Sequence, residues 1–305
     1  MSFLFTEFAG WKEHINNENI SLVQSVLNYE KDQRDVSESK VISKLMEAFS
    51  VMKDAVKTGL TEDTTSRSGM INNGGKQVAA NNLTVLSKEF QMLIARTLSA
   101  KEVNSCMGRV VAAPTAGASG ILPGVLVTLQ EIHKLDDSKI IDGLLVAAGI
   151  ALIIENKASL AGAVGGCQAE TGSAAAMASG AIVYCLGGNV DQIFTAVAIT
   201  IQCMLGLICD PVAGLVEVPC VVRNASAAAI ANSSAQIALS NVSGVIPVDE
   251  CIEAMAEIGE SMETKYKETA QGGLAASATG QKIAKKVLIK DIDFLPNQDV
   301  NDLID

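Results

Sequence analysis

The chain has 305 residues, 49% of them apolar and 4% aromatic, and a formal net charge of -11. Such an acidic chain repels phosphate backbones, and no cluster of Lys or Arg with interleaved aromatics offsets the charge, so nucleic acid is not an expected partner. Its seven cysteines are an odd number, and Glu7 stands where a secretory leader would be basic and then apolar; the expectation is a reducing, cytoplasmic compartment with free or metal-bound thiols.

From 39 to 59, Ile42, Leu45, Met46, Phe49, Met52 and Val56 recur at helical spacing, and Gly59 stands where a helix stops. Residues 1–60 read as a small N-terminal helical segment and 61–305 as the main domain, with one continuous domain as the alternative. The stretch 58–82 changes to Thr, Ser, Asn and Gly, with Asn72-Asn73-Gly74-Gly75 as its strongest turn signal, and predicts a loop. A second amphipathic helix is expected from about Leu83, with Leu86, Phe90, Leu93, Ile94 and Leu98 on one face.

Beyond a loop at 112–120, helical patterns recur near 122–133, 139–155, 171–187, 190–208, 222–240, 249–266 and 271–286. Little alternates with a strand period, and Ala-rich, aromatic-poor runs suit tightly packed helices better than a pleated sheet. The expected fold class is all-α: a multi-helix globular domain with buried apolar core helices. Two uncharged runs, 171–190 and 192–209, approach the length of a bilayer span. Only Asp191 separates them, and no Lys or Arg lies between 158 and 222 to orient them, so a membrane location is not expected.

Cys167, Cys209 and Cys220 each sit at a break in apolar sequence: after Gly165-Gly166, two residues before Pro211, and directly after Pro219. Such punctuation can aim three sulfurs at one point, and thiolates are soft ligands that suit zinc or iron-sulfur clusters. There is no CxxC pair, and spacing alone favours plain buried thiols. Cys185, Cys203 and Cys251 lack this framing and read as core or surface residues, while Cys106 adjoins the segment 104–124, NSCMGRVVAAPTAGASGILPG. There Gly117 and Gly120 permit close approach, and Thr115, Ser119 and neighbouring N–H groups could grip a carboxylate; a tight helix crossing of small residues is the competing reading.

Segment 104–124, with GGCQAE at 165–170, GLICDPVAGLVEVPC at 206–220 and GGLAA at 272–276, resembles the alpha chain of iron-sulfur-dependent bacterial L-serine dehydratases, over nearly the whole chain. The resemblance implies a [4Fe-4S] cluster held by Cys167, Cys209 and Cys220, with one open iron acting as Lewis acid in converting L-serine to pyruvate and ammonia. It also implies a separate beta chain and a hetero-oligomer. Candidates for binding the amino-acid substrate are Thr115, Ser119, Gly120, Arg109 and Ser68, and Glu170, beside Cys167, is the candidate acid or base. His14 and His133 lie outside every motif and read as surface or packing residues.

The chain departs from the resembled pattern at 66–76, SRSGMINNGGK, where a Ser-rich loop with Gly-Gly before an acidic residue is usual. A milder departure is SATG at 277–280 in place of Thr-Pro-Thr-Gly. The first bears on which substrate is accepted. A related iron-sulfur lyase acting on cysteine or threonine is therefore the alternative, as is a catalytically weak subunit. A pyridoxal-phosphate enzyme would need a Schiff-base lysine, for which only Lys76 is a candidate, and it lacks the strand-helix context.

Overall fold

The computed structural model describes residues 3–83 and 85–292, and the end of the 61–305 segment, from 293 on, lies outside the described residues. The helices are α1 (Phe8–Glu18), α2 (Leu22–Arg34), α3 (Glu38–Thr61), α4 (Gly74–Ala80), α5 (Lys88–Ser105), α6 (Ile121–His133), α7 (Asp137–Lys157), α8 (Gly162–Gly165), α9 (Ser173–Cys185), α10 (Val190–Met204), α11 (Cys220–Leu239), α12 (Val248–Ser261) and α13 (Ala278–Ile292). A π-helical turn at Gln168–Gly172 leads into α9. Among the described residues there is no β-strand, only isolated bridges between Thr65 and Asn72 and between Cys209 and Lys267. The fold is all-α, and no described helix is long and apolar enough to cross a membrane.

At the centre lies α9, SAAAMASGAIVYC, packed against α6, α7, α10 and α11. Its residues from 173 to 183 are all buried. Small side chains let neighbouring backbones approach on every side, which a larger apolar residue would prevent. The N-terminal helices join this same core. Phe5, Phe8 and Trp11 are fully buried, Phe8 meets Phe194 of α10 edge-on at 4.8 Å, and the Trp11 indole donates to Ser25 Oγ at 2.8 Å. Asp249, in the first turn of α12, accepts from the N–H groups of Phe8 and Ala9 and so caps α1 from a distance of 240 residues.

Several boundaries differ from the sequence expectation. The loop expected at 58–82 contains α4, because Asn73 adopts a left-handed conformation and buried Glu102 of α5 accepts from the N–H groups of Gly74 and Gly75. On α3 the buried stripe runs through Val41, Phe49, Met52, Ala55, Val56 and Gly59. Ile42 and Met46, expected on that face, lie one position round the helix and are exposed. Likewise α12 ends at Ser261 and α13 starts only at Ala278, since Glu268, Ala270 and Gly273 carry positive φ angles that interrupt any helix between them.

Candidate active centre

Three segments meet before the start of α9. Cys167 follows Gly166, whose φ of 74° turns the chain, and opens the π-helical turn. Cys209 lies in the connection after α10, with its N–H on the Tyr266 carbonyl at 2.8 Å and its carbonyl accepting from Glu268 N–H at 3.0 Å. Cys220 is the first residue of α11. All three are free and buried, with 3%, 4% and 8% exposure.

Their electrostatics are shared. Burial pushes the Cys209 thiol far up, and the charges of Cys167, Glu268, Cys220 and Glu170 push the same way. Burial, then Cys167, pushes Cys220 up to about 12, with Glu170 adding to the rise and the cations Lys101 and Arg223 opposing it. Cys167 is raised by burial and, less, by Glu170, against a contact of 2.9 Å with Thr171 Oγ1 and the charge of Arg223. The remaining cysteines stand apart: Cys185 and Cys251 are buried within helices, Cys203 is exposed on α10, and Cys106 caps the end of α5.

Glu170 links this group to the segment 104–124. The Thr115 hydroxyl donates to its carboxylate, and a Cβ added at Gly117 would collide with that carboxylate. On its other side is Gly162, where a Cβ would sit 3.3 Å from Cys209 Sγ and 3.5 Å from Oε2 of both Glu170 and Glu268. One bare glycine is thus ringed by a thiol and two carboxyls, and burial together with the Glu170 charge pushes the Glu268 carboxyl above its ordinary range.

Side chains that were not singled out as site residues bind the segments together. Asn224 of α11 accepts from Gly120 N–H at 3.0 Å and donates to the carbonyls of Gly117 at 2.9 Å and Cys220 at 2.8 Å. Arg223 donates to the Ile208 carbonyl at 3.0 Å and to buried Asp210 at 2.7 Å, and Asp210 in turn accepts from Leu274 N–H at 2.7 Å. Gln168 bridges Gly206 N–H and the Met255 carbonyl.

Beside this centre is a cavity of about 480 Å³ lined by Ser68, Asn104, Ser105, Gly117, Val216 and Glu217, among others. Ser66 donates to Glu217 Oε2 at 2.6 Å, and the Ser68 hydroxyl donates to the same oxygen. The departing loop is therefore fastened to the Cys209 to Cys220 connection. Lys101 of α5, absent from the expected site, is fully buried, with Nζ on Asn104 Oδ1 at 2.5 Å and on the Val216 carbonyl at 3.1 Å. Burial lowers its pKa to about 8, against the charges of Cys220, Glu170 and Glu217.

Of the expected substrate-binding residues, only Ser68 lines the cavity. Thr115 is spent on Glu170, the Gly120 N–H on Asn224, and Ser119 is fully buried with a hydroxyl that has no partner among the described residues. Arg109 is not brought to the centre: it is exposed and pairs with Glu47 of α3 at 3.2 Å. His14 stacks on Phe3, His133 is exposed at the end of α6, and Lys76 pairs with Asp63 at 3.0 Å. Among the described residues, no three His, Cys, Asp or Glu side chains are gathered as they would be around a single metal ion.

Comparison with known proteins places this geometry in context. The family described as "Serine dehydratase alpha chain" matches residues 17–275. The chain is 42% identical to the L-serine dehydratase, alpha chain, of Peptoniphilus asaccharolyticus over 276 residues, which is 90% of this chain and 94% of that one. It is 40% identical over 277 residues to a probable L-serine dehydratase, alpha chain, of Bacillus subtilis, covering 90% of this chain and 92% of the relative. A longer relative, the L-serine dehydratase of Streptomyces coelicolor, is 37% identical over 269 residues, covering 85% of this chain and 58% of its own.

Proposed function

This chain belongs to the serine dehydratase alpha chain family, and on that premise we propose that it is the cluster-bearing chain of an L-serine ammonia-lyase. The reaction removes the α proton and β hydroxyl of L-serine as water; the resulting enamine tautomerises and takes up water, giving pyruvate and ammonia. The observation that carries this reading is the meeting of three free, buried thiols, Cys167, Cys209 and Cys220, from three separate segments in one electrostatic field.

These residues fit a [4Fe-4S] cluster. Three thiolates are the soft ligands that hold such a cluster, and three of them would leave its fourth metal corner without a protein thiolate. Gly162 leaves space beside Cys209, and the cations Lys101 and Arg223 stand where thiolate charge would otherwise be uncompensated. When bound, such a cluster leaves one iron open and supplies a Lewis acid toward a departing hydroxyl.

The chain's own residues supply the rest. Glu170 abuts both Gly117, on the cavity wall, and Gly162, beside Cys209. It is the carboxyl common to both places, and we assign it the proton transfer at the α carbon. Thr115 holds its orientation, while Asn224 holds the Gly117 to Gly120 turn against the start of α11. The relatives named as alpha chains support a separate beta chain as partner. A reducing, cytoplasmic location suits seven free cysteines, one of them exposed.

The test is anaerobic reconstitution with iron and sulfide, followed by visible absorbance and a pyruvate assay with the partner chain present. Each of Cys167→Ser, Cys209→Ser and Cys220→Ser is expected to lose cluster absorbance, whereas Cys251→Ser keeps it. Glu170→Gln is expected to keep the absorbance and lose roughly 100-fold or more in turnover. Pyruvate formation by iron-free protein, or no iron uptake with all three thiols reduced, overturns the reading.

A further inference from the structure

The cavity beside the centre holds two uncommitted polar atoms that neither the cysteines nor Glu170 explain. The first is on Asn104. A lysine ammonium can only donate, so the contact with buried Lys101 requires that Asn104 turn its oxygen toward Nζ, and the Nδ2 group must point the other way. Asn104 lines the cavity, and its Nδ2 has no protein partner among the described residues. The second is on Glu217, whose Oε2 receives both Ser66 and Ser68, while its Oε1 has no protein partner among the described residues.

Lys101 and Glu217 also form no ion pair with each other; each is satisfied separately on the same side of the molecule. Besides Arg67, which also lines it, the cavity therefore carries a donor backed by one buried positive charge and an acceptor belonging to one buried negative charge. A ligand with only a carboxylate or only an ammonium would leave one of these unmatched in a desolvated place, which is costly. A zwitterion matches both.

We propose that Asn104 and Glu217 form a clamp for free α-amino acids, Asn104 Nδ2 donating to the α-carboxylate and Glu217 Oε1 accepting from the α-ammonium, with Lys101 as the positioning residue that orients Asn104. This rests on reading the cavity as the substrate site. It assigns recognition of the amino-acid backbone to residues 101–104 and 217, and leaves the Cys167 side of the centre to the reacting hydroxyl. The departing 66–76 loop then acts on substrate choice indirectly, through the serines that hold Glu217 in place.

The experiment is equilibrium binding to the full chain of L-serine, of L-glycerate, which lacks the ammonium, and of ethanolamine, which lacks the carboxylate. Wild type is expected to bind L-serine roughly tenfold or more tightly than either analogue. Asn104→Leu and Lys101→Met are expected to lose roughly tenfold for L-serine and L-glycerate and nothing for ethanolamine; Glu217→Gln shows the opposite pattern between the analogues. A purely structural role would weaken all three ligands together, and that outcome overturns the clamp. So does a wild type that binds L-serine no better than the analogues, a result that does not depend on any variant folding. If wild type discriminates as expected yet forms no pyruvate when loaded with its cluster and partner, the dehydratase reading fails and the clamp stands.

Discussion

Lys101 is the residue whose chemistry is set most completely by its surroundings. In sequence it is one of 23 Lys and Arg, and nothing distinguishes it from a solvated surface lysine. The fold buries it entirely, and burial lowers its pKa from 10.5 to about 8. The sign of the consequence follows from proton linkage. Between about pH 8 and 10.5 the unfolded chain holds a proton at this position that the folded chain lacks, so stability gains with rising pH across that window and is lost as pH falls to 8. At pH 7 the penalty is on the order of 3 kcal/mol. In chemical denaturation of the cluster-free chain, Lys101→Met is therefore expected to be no less stable than wild type at pH 7, with wild type gaining relative to it by pH 10.5. A constant difference across that range would mean that Lys101 is not held in a low-dielectric environment.

At the scale of elements, α4 illustrates a helix that exists only by tertiary capping. Seven residues are too few to sustain a helix alone, and two of them are glycines. Glu102, reaching from α5, satisfies the Gly74 and Gly75 N–H groups, and the Thr64 hydroxyl holds the same carboxylate at 3.2 Å. Glu102→Ala is expected to destabilise the chain by about 1–3 kcal/mol and to abolish amide exchange protection over residues 74–80 in particular. Retained protection there would show that α4 is held by its packing on α5 instead. The segment reads as a loop in sequence because Asn72-Asn73-Gly74-Gly75 is a true turn signal, while the capping carboxylate lies 28 residues downstream.

For the whole molecule, the question is whether the N-terminal helices are an appendage. Their aromatic residues lie in the same core as α7, α9, α10 and α12, and the chain's single tryptophan, Trp11, is fully buried among them. Trp11 fluorescence and far-UV circular dichroism are accordingly expected to report one coincident unfolding transition. An earlier fluorescence transition would mean that 1–60 unfolds separately. Trp11→Ala is expected to cost about 3–5 kcal/mol, read as a lower denaturant midpoint, because the neighbouring rings cannot collapse fully into the space it leaves.

The sequence by itself determined the all-α class and the long helices, and it marked Cys167, Cys209 and Cys220 as cysteines at breaks in apolar sequence, because these depend on local periodicity and on residues next to Gly or Pro in the chain. The motif segments around 104–124, 165–170, 206–220 and 272–276 were equally legible, since each is short and contiguous. Only the tertiary structure decided that Thr115 serves Glu170, that Arg109 faces solvent with Glu47, and that Asn224, Arg223 and Gln168 join segments that are far apart in the chain. It also decided that Asn104 and Glu217 line one cavity and that buried Lys101 holds Asn104 from behind. The physical reason is that a hydrogen bond or a desolvated charge depends on partners brought together by packing, and spacing along the chain carries no trace of them.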